Sequence, residues 1–174
     1  NSGASVTQKN FYNGTALTIA RSKNLKELID YLEPHFPNRE EYPFIIILYT
    51  FPDQPDIIHA LHRHTRMKVI EARHHLLLEM NKVSFLPAGS YLGIDGNRFV
   101  QLPLLRPDKT YHVIDHFLTT MAAVYKNNAY AVILSGAGAD GTAGVRAVRA
   151  EGGITFAQDD TAAFRGMPQT AIES

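Results

Sequence analysis

The amino-acid sequence predicts an α/β domain: a doubly wound, mainly parallel sheet with helices on both faces and a small hairpin. Three observations carry that reading. Continuous apolar, β-branched runs, led by Phe44-Ile45-Ile46-Ile47-Leu48, mark strands covered on both faces. Segments of helical spacing alternate with those runs, the signature of βαβ units. Asp95-Gly96-Asn97, between two short strand candidates, signals a hairpin.

The elements follow in chain order. The polar stretch 1–14 is expected to be a linker or cloning remnant, with the domain over 15–174. Its first ten residues lack the basic and apolar regions of a signal peptide. Ala16 to Ala20 is the first strand. Leu25, Leu28, Ile29 and Leu32 then fall at helical spacing, with Asn24 and Glu27 at the start and Pro34 near the stop. After the Phe44 strand, Pro55 suits the first turn of a helix with Ile57, Ile58 and Leu61 on its apolar face. Lys68 to Ala72 and Val83 to Leu86 are strands, and Tyr91 to Ile94 with Arg98 to Leu102 form the hairpin. His112 to Tyr125 is the longest helix, with Val113, Phe117, Met121 and Val124 on one stripe. Ala129 to Leu134, Thr142 to Ala150 and Ile154 to Ala157 complete the pattern as strand, helix, strand. In such sheets ligands and chemistry gather at the carboxyl ends of the strands. That directs attention to Ala20 to Asn24, Tyr49 to Asp53 and Ser135 to Gly141.

Composition narrows the function. A chain of 174 residues can bury a single core. Its 17 basic and 17 acidic side chains cancel, which leaves no electrostatic footprint for nucleic acid. With no cysteine, disulfides and thiolate metal sites are excluded. No apolar run approaches the roughly 18 residues that span a bilayer. The expectation is a cytoplasmic domain without membrane insertion.

Ser135-Gly136-Ala137-Gly138-Ala139-Asp140-Gly141 is the richest segment. Gly136, Gly138 and Gly141 spell a dinucleotide fingerprint, and Asp159 stands near the position of a ribose-binding acid. Against that, Asp140 would put a carboxylate where a pyrophosphate should sit. The plainer expectation is a glycine-rich turn in which Asp140 caps the helix that starts at Thr142.

The same turn carries a resemblance. Leu134 to Gly141, followed by Gly144, then Gly152-Gly153, Phe156-Ala157-Gln158-Asp159, Gly166-Met167-Pro168 and Ala171-Ile172, resembles the catalytic domain of the bacterial chemotaxis receptor methylesterases in order and spacing. Weaker similarity runs back through Val113-Asp115-Phe117 and Arg63-His64-Thr65 to about Thr15. The resemblance implies the doubly wound fold and hydrolysis of glutamyl methyl esters by a serine, a histidine and an aspartate. It assigns the aspartate to Asp140 and an oxyanion turn to Ala137 and Gly138.

The other two members of that triad are degenerate. The resemblance places the serine after the first strand, where the chain reads Arg21-Ser22-Lys23 without the expected glycines. Arg21 or Ser22 occupies the position, depending on one deletion. The histidine should follow the second strand, where Tyr49 and Thr50 stand. Neither is a useful base near neutral pH. The expectation is a methylesterase-like domain with impaired chemistry, serving as a binding or regulatory module for a protein partner within a longer signalling chain. An active esterase using Ser22 with a base from elsewhere, and a dinucleotide-binding module, are the alternatives. No cofactor is implied. His59 with His62 and His112 with His116 have helix-face spacing, but no carboxylate pattern in the sequence joins them, so no metal is expected.

Overall fold

The computed structural model describes residues 16–20 (backbone), 43–47, 62–63, 65–87, 90–103 and 112–174. Eight strands lie among them: β1 Ala16–Ala20, β2 Phe44–Ile47, β3 Lys68–Glu71, β4 Lys82–Leu86, β5 Leu92–Asp95, β6 Arg98–Gln101, β7 Ala129–Ile133 and β8 Ile154–Ala157. Three helices are described: α1 Val113–Tyr125, α2 Thr142–Ala150 and α3 Gly166–Glu173. The two helices expected between β1 and β3 fall largely outside the described residues; only His62 and Arg63 are seen there, and they are helical.

Six strands form one sheet in the order β3-β4-β2-β1-β7-β8, and every pairing is parallel. Ala16–Ala20, Phe44–Ile47 and Ala129–Ile133 are therefore adjacent, central and parallel. From β1 the chain moves outward to β2 and the edge strand β3, then returns to β4 between them. It then crosses back to β7 and β8, so the winding reverses at β1. In such sheets ligands are held beyond the carboxyl ends of the strands at a reversal of this kind, here β1 and β7. Both α1 and α2 belong to crossovers running toward β8, and right-handed crossovers in one direction lay their helices on one face.

Packing explains the local choices. All four side chains of β2 are buried, as a run without a polar face requires. On α1 the buried residues are Ile114, Phe117, Leu118, Met121 and Ala122, whereas Val113 and Val124 are half-buried. The expected stripe is thus turned by part of a step. The cause is that α1 has two neighbours to satisfy, the β5–β6 hairpin and α2. The hairpin docks through Ile94, whose N–H donates to Thr120 Oγ1 at 3.0 Å. On the α2 side, a Cβ added to Gly144 would lie 2.5 Å from Leu118 Cβ and 3.1 Å from Asp115 Cα. Only a glycine allows this approach. Gly144→Ala is expected to cost about 1 to 3 kcal/mol through overpacking, seen as a lower urea midpoint with an unchanged slope. An unshifted midpoint would contradict the close contact.

One helix escaped the sequence reading. α3 begins at Gly166 and carries Pro168 in its first turn, where a missing N–H costs nothing. Among the described residues no helix is long and apolar enough to cross a membrane.

Candidate functional site

The carboxyl end of β7 leads into the glycine turn. Ser135 is buried, and its N–H donates to Gln158 Oε1 at 2.9 Å. Ala137, Gly138 and Ala139 are exposed, with Gly138 at φ +88°. Among the described residues, the backbone N–H groups of Ala137, Gly138, Ala139 and Asp140 donate to nothing. A run of undonated amides around a left-handed glycine is a backbone form that holds an oxygen carrying negative charge. The resemblance asked for an oxyanion turn at this point, and the free amides are compatible with one.

Asp140 does something other than what its position in the sequence suggested. It does not cap the helix beginning at Thr142. Its Oδ2 accepts from Ile114 N at 3.1 Å and its Oδ1 from Asp115 N at 2.9 Å, so it caps α1. The cap of α2 comes from Asp115, whose Oδ1 accepts from Gly141 N at 2.9 Å and from Gly144 N at 2.8 Å. Each carboxylate serves the other's helix. This reciprocal arrangement satisfies amides that helix starts leave orphaned and sets both negative groups at positive helix ends. It also explains Gly144, since Asp115 can reach its N–H only where the helices nearly touch. Neither helix has a side-chain cap from its own N-cap residue, His112 or Gly141.

Both carboxylates are largely shielded, with side-chain exposures of 16% for Asp115 and 13% for Asp140. Burial pushes the Asp140 carboxyl above its ordinary range. The like charge of Asp115 adds to this, while the two amides and His112 pull the other way. The folded value thus lies above that of the unfolded chain, about 3.9, and folding takes up a proton here. Asp140's contribution is fully present below about pH 4 and fades as pH rises through the folded value. The stability of the wild type relative to Asp140→Asn should therefore shrink between about pH 4 and pH 7, read from urea midpoints. A relative stability that grows over that range would reverse the sign of the argument.

His112 stands at the start of α1, half-exposed. Its Nδ1 lies 3.5 Å from Asp115 Oδ2 and 3.9 Å from Asp140 Oδ1. These three residues offer ligand atoms within 4.8 Å of one another. Four helix amides already bond to the two carboxylates, and two positive helix ends converge on the same point. That field opposes a cation, and no metal is assigned. His116 makes an edge contact with Tyr91, ring centroids 5.1 Å apart, and is not part of the His112, Asp115 and Asp140 group. The other histidine pair is not testable, because His59 lies outside the described residues.

The triad positions divide in the same way. Asp140, Ala137 and Gly138 are placed. Arg21, Ser22, Tyr49 and Thr50 lie outside the described residues. The strands that precede them end at the edge in question: Ala20 pairs with Ile133 of β7 and with Ile47 of β2. The dinucleotide reading loses its basis in the same geometry. The N-terminus of α2, where a pyrophosphate would sit, is filled by the Asp115 carboxylate, and Asp159 closes its own turn through Thr161 N and Oγ1. Asp115 itself was not legible as a site residue. An acid in the first turn of a helix is commonplace, and nothing local links positions 115 and 140.

The family model of the CheB methylesterase matches residues 19–174. An uncharacterized 104.1 kDa protein in the hypE 3′ region of Rhodobacter capsulatus is 41% identical over 113 residues, 64% of this chain and 12% of its own length. A protein-glutamate methylesterase/protein-glutamine glutaminase 1 of Carboxydothermus hydrogenoformans is 31% identical over 157 residues, 86% of this chain and 45% of its own. The chain thus spans less than half the length of these relatives. Among solved structures, the Thermotoga maritima CheB methylesterase catalytic domain superposes with a TM-score of 0.78 at 25% identity, covering 93% of this chain and 89% of that one.

Proposed function

The chain belongs to the CheB methylesterase family, and from that premise we propose that it is a methylesterase-like module that binds a protein partner but no longer hydrolyses glutamyl methyl esters efficiently. The observation carrying the proposal is the fate of the triad. Tyr49 or Thr50 stands where the resemblance puts the histidine, and Asp140, the retained member, has both oxygens bonded to helix amides. An aspartate kept for two helix caps persists whether or not there is an imidazole to orient. His112 does not supply the missing partner: its nitrogen is 3.9 Å from Asp140, beyond hydrogen-bond length. Arg21 and Lys23 flank Ser22 in the sequence, where the resemblance implies small residues.

The proposed setting is a cytoplasmic signalling protein longer than this chain, with a chemoreceptor or a related glutamate-bearing protein as partner. What supports it is that relatives of this chain are protein-glutamate methylesterases of greater length. The test is to incubate the domain with a methylated receptor fragment and follow binding and methanol release together. Binding without release above the buffer control is the expected result; release that depends on the domain would overturn the proposal.

A further inference from the structure

The segment between β3 and β4 runs beside β6 and is stitched to it. His75 N donates to Phe99 O at 2.8 Å, Phe99 N to Leu76 O at 2.9 Å and Leu78 N to Asn97 O at 2.7 Å. Leu77 and Arg98 form an antiparallel bridge. The last bond of the series differs in kind. Gln101 N donates at 3.0 Å to Nδ1 of the His74 ring, not to a carbonyl. A main-chain amide can only donate, so this bond exists only while Nδ1 carries no proton. It also fixes the tautomer, with the proton of the neutral ring on Nε2.

A second imidazole stands against the first. The ring centroids of His74 and His75 lie 3.6 Å apart, with the planes tilted by 32°. His75 sits at φ +68°, a left-handed conformation that residues with a side chain enter at an energetic cost. Its N–H is held by Phe99, and Arg98 Nη1 donates to its carbonyl at 3.1 Å. The Arg98 guanidinium is thus a fixed positive charge beside the pair, with Asp95 its cross-strand neighbour on β5. The nearby acids on the segment itself are engaged, Glu71 with Arg73 at 3.2 Å and Glu79 with Lys82. On the far side of Gln101, its Nε2 donates to Tyr91 O, and the Tyr91 ring meets His116 of α1. Among the described residues no carboxylate pairs with either His74 or His75.

We propose that His74 and His75 form a proton-sensitive clasp, closing this segment on β6 while His74 is neutral and releasing it when the ring takes up a proton. Protonation turns Nδ1 from an acceptor into a donor that faces the donor of Gln101, so the bond is lost. Charge on both rings adds repulsion between them and with Arg98. The left-handed backbone of His75 then has one fewer contact to hold it in place. The closed form needs the neutral ring, so the clasp is present at high pH and lost as pH falls. Imidazoles change charge between about pH 5 and pH 8, which sets its working range. The effect is not confined to the corner. The same hairpin docks on α1 through Ile94 and Thr120, so the clasp decides whether it is held from one side or from two.

The test is nitrogen-15 NMR on the intact domain, titrated from pH 8 to pH 5. A hydrogen bond from N–H to nitrogen transmits a coupling between its two nitrogens, so the closed clasp has its own spectral signature. At pH 8 the wild type should show that coupling between Gln101 N and His74 Nδ1. It should vanish in step with protonation of the His74 ring. The amides of His75 and Phe99 should then lose about five- to tenfold of their protection against exchange, after correction for the intrinsic rate. In His74→Asn the side-chain oxygen offers an acceptor in place of Nδ1 and does not titrate, so protection should stay level across the range. Absence of the coupling at pH 8, its survival once His74 is protonated, or an equal loss of protection in His74→Asn would each overturn the clasp. The wild-type coupling decides by itself if that variant does not fold.

Discussion

Asp140→Asn should destabilise the domain by at least about 1 kcal/mol more than Asp115→Asn, although both remove one charge from the same cluster. The asymmetry follows from which oxygens are used. Asp115 satisfies both of its amides with Oδ1, so an asparagine carbonyl can keep both bonds and turn its amide group toward His112. Asp140 uses both oxygens, one on Ile114 and one on Asp115, so an asparagine must set an NH2 group against a helix N–H. Relief of a buried charge offsets part of that loss. Alanine at either position leaves two helix amides without a partner and should cost about 2 kcal/mol, the range of a lost cap on a partly buried helix start. Urea denaturation of the four variants would decide. Equal costs for the two asparagines would mean that the carboxylates act only as charges.

The second large effect is catalytic. Removing the base from a serine triad costs several powers of ten, and what remains comes from oxyanion stabilisation and binding. The turn amides leave that residual possible; in the proposed reading the histidine position is held by Tyr49 or Thr50, and neither side chain converts a hydroxyl into a nucleophile. Turnover of a methylated receptor substrate is therefore expected at the buffer rate, with His112→Gln indistinguishable from the wild type. A drop in turnover on changing His112 would identify it as a base that closes the gap to Asp140 when substrate is bound.

Much of the fold was legible because its signals are local. The Phe44 run could only be a covered strand, Asp95-Gly96-Asn97 could only turn, and the alternation of runs and helical spacing dictated a parallel sheet. The α1 stripe was misjudged by part of a step because its partners, the hairpin and α2, lie far away in sequence. α3 was missed because Gly166 and Pro168 look like breakers unless one knows that they occupy a first turn. At the site, Asp140 could be located but not its hydrogen bonds. A carboxylate ahead of a helix is expected to cap that helix, and the exchange of caps between α1 and α2 depends on how closely they pack at Gly144, which is a tertiary fact. The undonated amides of the turn could likewise be anticipated only from the resemblance, since an amide's freedom depends on what the rest of the chain leaves unpaired.

The central proposal is that Asp140 is retained for structure while the domain no longer carries out the family's reaction. Its most direct test is methanol release from a methylated chemoreceptor fragment, measured side by side for the wild type, Ser22→Ala and the buffer control. The account predicts three equal rates. Release by the wild type that Ser22→Ala abolishes would contradict it.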